Sequence, residues 1–144
     1  MIYLDSCALV KLIVREKETD ALVAFLEAQS QQRQVTSELA ITEVTRVIRR
    51  ARCGPQGQTL LEESAFIRLL AAAEKRLSAT DQVTVDTALL KAAGALEEFN
   101  LRSLDAIHLA SALMLGPALT SFVTYDERLR EHAENRGLVA VSPS

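Results

Sequence analysis

Four short apolar runs, Ile2-Tyr3-Leu4, Val35-Thr36, Phe122-Val123-Thr124 and Leu138 to Val141, are separated by segments with the periodicity of helices. Strands joined through helical crossovers pair in parallel, so this alternation restricts the chain to an α/β fold, a three-layer α/β/α sandwich with a mostly parallel sheet. Asp5-Ser6 ends the first run, and a helix is expected from Ala8 to Ile13. Thr19-Asp20 precedes an amphipathic helix, Ala21 to Ala28, with Leu22, Phe25 and Leu26 on one face; Gln29 to Gln34 reads as loop. Ser37 is suited to cap a helix running to about Cys53 and stopped by Gly54-Pro55. After a polar loop at Gln56 to Gln58 another helix is expected from Thr59 to Leu77. Ser78 to Thr84 is ambiguous, Val83 and Val85 offering a short strand before a helix from Asp86 to Phe99. Ser103 is suited to cap a helix that begins at Leu104 and stops at Gly116-Pro117. The last helix runs from Glu127 to Arg136, closed by Gly137.

Composition narrows the functional classes. A chain of 144 residues, 49% apolar and with only five Gly and three Pro, suits one core, so residues 1–144 are expected to form a single domain. No apolar run is long enough for a membrane span, and Asp5 interrupts the N-terminal run too early for an export signal. Cys7 and Cys53 are too few for a disulfide framework or a zinc site, which points to a reducing compartment and a cytoplasmic protein. The net charge of −3 argues against a polyanionic partner. Two facts weaken that argument: 12 of the 16 basic residues are arginine, suited to forked phosphate contacts, and carboxylates can be occupied by metal ions.

The acids are the informative residues. Asp5 and Asp126 directly follow apolar strands, and in an open parallel sheet ligands bind beyond the carboxyl ends of strands. Asp105 lies in the first turn of one helix and Glu43 within the first two turns of another, and such helix starts approach the same rim. Each has an ordinary reading: Asp105 as a complement to the helix dipole, Asp5 and Asp126 as turn residues, Glu43 as a solvated or ion-paired helical acid. Their joint placement favours a site. Enclosed carboxylates repel one another unless divalent cations hold them ionised. Oxygen ligands without a His or Cys cluster favour Mg²⁺ or Mn²⁺, ions suited to in-line displacement at phosphorus.

The segments MIYLDSCALVKL, SELAITEV, LRSLDAIHLASAL, FVTYDERL and RGLVAVSPS together resemble the PIN-domain ribonucleases, specifically the VapC toxins of bacterial toxin–antitoxin pairs, over the whole chain. The resemblance implies a PIN-like fold and a metal-dependent endoribonuclease in which Mg²⁺, with Mn²⁺ as a substitute, activates a water against an RNA phosphodiester to leave a 3′-hydroxyl and a 5′-phosphate. It implies catalytic and metal-binding roles for Asp5, Glu43, Asp105 and Asp126, with Asp5 and Asp105 as the main ligands. Ser6 and Thr124 match the family's supporting hydroxyls, whereas Cys7 stands where serine is common. It further implies an RNA substrate, a VapB-type antitoxin, a homodimer and a toxin–antitoxin hetero-oligomer.

The metal would also resolve the charge conflict, since two divalent cations turn the formal −3 positive. Arg46 and Arg50 follow Glu43 by three and seven residues, on its side of the helix, and are candidates to guide the RNA backbone; the alternative is that the Arg46, Arg49, Arg50, Arg52 cluster complements the helix dipole. Leu12, Val23 and Leu26 are candidates for an antitoxin groove or for core. His108, one turn after Asp105, is not assigned to catalysis, because a histidine in an apolar helix is more often a hydrogen-bonded core residue. A phosphoacceptor domain of the receiver type fits poorly, since no Asp lies between Asp20 and Asp81, and Cys7 excludes a phosphatase with two aspartates one residue apart. A catalytically silent PIN-like RNA- or protein-binding module is the remaining alternative, which metal binding would distinguish.

Overall fold

A computed structural model describes residues 1–54 and 56–144. The chain runs β1 (Ile2–Leu4), α1 (Ser6–Ile13), α2 (Thr19–Ala28), β2 (Gln34–Ser37), α3 (Leu39–Ala51), α4 (Glu63–Ser78), β3 (Asp81–Val83), α5 (Thr87–Gly94), α6 (Ser103–Leu113), β4 (Ser121–Val123), α7 (Glu127–Asn135) and β5 (Ala140–Val141). The strands form one sheet in the order β3-β2-β1-β4-β5, and every pairing is parallel. The sheet is thus wholly rather than mostly parallel.

Alternation along β1 sorts the core into layers. Ile2 and Leu4 face α1 to α4 and pack with Leu9, Leu22, Val44, Ile48 and Phe66. Tyr3 faces the other way, among Leu109 of α6, Phe122 of β4 and Leu129 of α7. Its ring lies flat on Phe122, with centroids 5.2 Å apart. Each fully buried side chain of this size contributes roughly 1.5–3 kcal/mol by leaving water. Both faces of the sheet are covered, the arrangement that parallel strands require. Among the described residues no helix is long and apolar enough to cross a membrane.

Several boundaries differ from the sequence reading, each for a local reason. Helix α1 starts at Ser6, two residues early, because the Asp5 side chain caps it. Ser37 is not the cap of α3. It is the last residue of β2, paired with Val83, although its hydroxyl still accepts from the Leu39 amide at 3.3 Å. Glu38 takes the cap position, but its carboxylate accepts from the Val85 amide instead.

Residues Thr59 to Glu62 are not helical. Cys53 and Thr59 form an antiparallel bridge, and Gly54 N and Leu60 N donate back to Gln58 O and Arg52 O, so these groups serve a turn rather than a helix. Gly57, at φ 80°, supplies the left-handed residue of that turn. Pro55, expected to help stop α3, lies outside the described residues. Helix α5 ends at Gly94 rather than Phe99, because Leu96 and Leu101 fold back onto the core; Phe99 is 99% exposed. Ser103 is the first residue of α6 instead of its cap, and Arg102 in the cap position makes no side-chain bond. The last strand shortens to Ala140–Val141, since the Leu138 amide closes α7 by donating to Ala133 O.

Candidate active site

The strand order places a reversal of winding between β1 and β4. From β1 the chain steps to β2 and β3 on one side, then returns to add β4 and β5 on the other. The crevice beyond the carboxyl ends of two such strands is where open α/β sheets bind ligands. A cavity of about 810 Å³ opens there, and Asp5, Glu43, Asp105 and Asp126 all line it.

Asp5 follows β1 and is 4% exposed. Its Oδ1 accepts the Ala8 amide at 2.8 Å, its Oδ2 accepts the Thr124 hydroxyl, and the Cys7 thiol lies 3.0 Å from both oxygens. Burial raises the Asp5 pKa, and the bonds from Cys7 and Thr124 oppose that rise. Burial, and next the Asp5 charge, push the Cys7 thiol up, so it stays protonated and serves as a donor. Thr124, wholly buried behind Asp5, also accepts the Asp126 amide at 3.1 Å, so one hydroxyl ties the two strand ends together.

Asp126 caps α7, its Oδ1 accepting the amides of Arg128 and Leu129 at 2.9 and 3.1 Å. The plain structural readings of Asp5 and Asp126 are therefore met as well, without removing either from the cavity wall. Glu43, in the second turn of α3, accepts at Oε2 from the Ser6 hydroxyl and from His108 Nε2 at 2.8 Å. Burial acts to raise its pKa, but the bonds from His108 and Ser6 outweigh it and hold the group below the usual carboxylate range. The carboxylate of Asp105, a half-buried residue in the first turn of α6, has no hydrogen bond or ion pair among the described residues. Burial raises its pKa, and the charges of Asp126 and Glu43 push the same way.

No group of three or more His, Cys, Asp or Glu side chains among the described residues could hold a metal ion by itself. The expected convergence is therefore one of a shared cavity, not of a finished cage. The donor chemistry still fits a hard divalent cation. All four acids offer oxygen, and the bare Asp105 carboxylate suffers a repulsion that such a cation relieves. Mg²⁺ commonly takes one or two carboxylates and keeps several waters, so a full protein cage is not required.

The arginine cluster divides. Arg46 and Arg50 line the cavity, whereas Arg49 and Arg52 lie over the Phe66 ring at 6.0 and 4.6 Å, with Arg52 also paired to Glu63. Among the cavity residues not read from the sequence are Lys11 and Tyr125. Lys11 is salt-bridged to Glu16 and Glu18 at 2.6 and 2.8 Å and sits 4.6 Å over the ring of Tyr125. Its spacing of one helical turn from Cys7 was the available signal, and Tyr125 lies between Thr124 and Asp126. His108 is a buried, hydrogen-bonded residue as expected, yet one of its partners is the site acid Glu43. Of the candidate groove residues, Leu26 is core, Leu12 packs partly against it and Val23 is exposed.

The PIN domain family matches residues 2–135 of the chain. Ribonuclease VapC46 of Mycobacterium tuberculosis is 41% identical over 143 residues, covering 99% of this chain and 98% of that protein. Two solved structures share the fold at low identity. The first is VapBC2 from Rickettsia felis, bound to a DNA fragment from their promoter, with a TM-score of 0.70, 14% identity and all of both chains covered. The second is Mycobacterium tuberculosis VapC20, a sarcin-ricin loop cleaving toxin, with a TM-score of 0.67, 20% identity, and 99% of this chain and 100% of that one covered.

Proposed function

Because the chain belongs to the PIN-domain family, we propose that it is a divalent-metal-dependent endoribonuclease and the toxin of a VapBC-type pair, with residues 1–144 acting as one catalytic domain. The observation that carries this reading is the meeting of Asp5, Glu43, Asp105 and Asp126, from four separate parts of the chain, on one cavity at the winding reversal of the sheet. The naming of the 41%-identical relative as a ribonuclease supports it. A silent binding module would have no use for a half-buried, unpartnered Asp105 facing other acids.

Asp5 and Asp105 hold the cation, Mg²⁺ or Mn²⁺, and Glu43 and Asp126 complete the acidic wall. The chemistry such an ion supplies is neutralisation of phosphate charge and acidification of water. The protein's own groups do the rest. Thr124 and Cys7 fix the Asp5 carboxylate, Ser6 fixes Glu43, and the Arg46 and Arg50 guanidiniums hold backbone phosphates of the RNA across the cavity. Water attacks phosphorus in line with the departing 3′ oxygen, which leaves as a 3′-hydroxyl, and the phosphate stays on the 5′ side. A VapB-type antitoxin restrains the toxin, which works in the cytoplasm as a homodimer and in a hetero-oligomer with its antitoxin.

The test is cleavage of total bacterial RNA by purified, antitoxin-free protein with Mg²⁺ or Mn²⁺ and with EDTA, alongside Asp5→Asn. Discrete fragments that require both the metal and Asp5 are expected. Folded protein that yields no discrete fragments with either metal would refute the enzyme.

A further inference from the structure

His108 is 3% exposed on α6, and its two ring nitrogens face opposite environments. Nδ1 lies 2.8 Å from the hydroxyl of Tyr3, a wholly buried residue of the central strand. Nε2 lies 2.8 Å from Glu43 Oε2 and 3.1 Å from the Ser6 hydroxyl. A phenol is un-ionised at neutral pH, so the Tyr3 hydroxyl has a proton to donate and Nδ1 has the lone pair to receive it. The ring proton then resides on Nε2 and is donated to Glu43. Ser6 donates to the same oxygen, while Glu43 Oε1 carries no hydrogen bond among the described residues. The chain of groups therefore pins one oxygen of this cavity-wall acid and leaves the other without a protein partner among the described residues.

We propose that His108, oriented by Tyr3, is a positioning residue that sets the Glu43 carboxylate for its ligand, so that the hydrophobic core aims a site acid through one imidazole. The relay spans three elements, β1, α6 and α3, and its members are 105 and 65 residues apart in sequence. Partners of this kind, one bond removed from a metal-binding carboxylate, are worth roughly 10–100-fold in metal affinity or activity. The inference rests on the metal-nuclease reading for its activity readout, but the ring tautomer and cation affinity report on it separately.

The experiment compares wild type with Tyr3→Phe, His108→Gln and His108→Ala, with folding checked by urea unfolding. Tyr3→Phe removes a single oxygen and keeps the ring on Phe122. Glutamine keeps an N–H donor near the position of Nε2. Mn²⁺ affinity by calorimetry is expected to fall about tenfold in Tyr3→Phe and His108→Ala, and to stay within about threefold of wild type in His108→Gln. In cleavage, kcat should fall in the same order while KM for RNA is unchanged. Two-bond nitrogen correlations should show wild-type His108 as the Nε2–H tautomer and a mixture in Tyr3→Phe.

Wild-type affinity and kcat in Tyr3→Phe would overturn the proposal, as would a glutamine variant as defective as alanine. If His108→Ala does not fold, Tyr3→Phe decides. If the wild type binds Mn²⁺ but cleaves no RNA, the nuclease reading fails and the affinities still judge the relay. If it binds no Mn²⁺, the tautomer judges it, and a wild-type ring that is not the single Nε2–H form overturns it.

Discussion

Replacing Asp5 in two ways separates its chemical from its structural role. In Asp5→Ala the Ala8 amide loses its cap, worth about 1 kcal/mol. The buried Thr124 hydroxyl and Cys7 thiol lose their acceptor, worth about another 1 kcal/mol. Relief from burying a carboxylate returns part of this, because burial disfavours the Asp5 charge. The net loss is about 1–2 kcal/mol, or a fall in Tm of about 3–6 °C for a chain of this size. Asp5→Asn keeps an oxygen for the Ala8 amide, and asparagine caps as well as aspartate. Its amide group meets the Thr124 oxygen as a donor, so its Tm should lie within about 2 °C of wild type. Both variants should lose RNA cleavage by at least about 10³-fold, since several kcal/mol of charge stabilisation depend on the site acids. Scanning calorimetry and a fragment assay on one RNA give both numbers. An asparagine variant that melts as low as alanine would refute the capping argument. One that retains cleavage within tenfold of wild type would refute the assignment of Asp5 to the chemistry.

Asp105→Asn should raise the Tm of metal-free protein at neutral pH. The Asp105 pKa is raised in the fold, so the native state takes its proton at a higher pH than the unfolded chain; the carboxylate therefore destabilises the fold at neutral pH, and the advantage of asparagine should shrink as pH falls through the raised value. Wild type should gain about 2.7 kcal/mol of stability from Mn²⁺ at 100 times its Kd, and the variant clearly less, as thermal melts with and without the ion would show. Arg46→Ala with Arg50→Ala should weaken RNA binding and reduce the salt slope by about 1.4, at about 0.7 per phosphate contact on a single strand; Arg49→Ala, whose guanidinium lies over Phe66, should leave the slope unchanged in filter-binding titrations. Phe122→Ala should cost about 3–5 kcal/mol in urea unfolding, because the ring is fully buried and stacked on Tyr3.

What the sequence revealed follows from what is local. Asp5 and Asp126 were legible because each directly follows an apolar run, and a parallel sheet assigns chemistry to such positions. Glu43, Arg46 and Arg50 were legible as one helical face, since spacings of three and four residues need no tertiary information. The errors arose where a nearby partner outcompeted the expected one. Ser37 has the right chemistry for a helix cap but is held in β2 by Val83, and Thr59 opens a segment of helical periodicity but bridges back to Cys53. Leu96 and Leu101 decide the end of α5 by packing elsewhere, which no periodicity shows. The link between His108 and Glu43 could not be read at all, because it depends on two helices meeting across 65 residues of chain.

The bond between Thr124 and Asp5 joins residues 119 positions apart. Every site acid but one precedes β4 in the chain, yet Asp5 gains this partner, and Asp126 its place on the cavity, only after β4 has paired with β1. Closing so long a loop is slow and entropically costly, and it comes late in any route to the native sheet. A ribosome making this chain therefore carries an unfinished site until β4 has been joined, well after Asp5, Glu43 and Asp105. During synthesis the nascent chain has no assembled nuclease to turn upon the RNA that surrounds it.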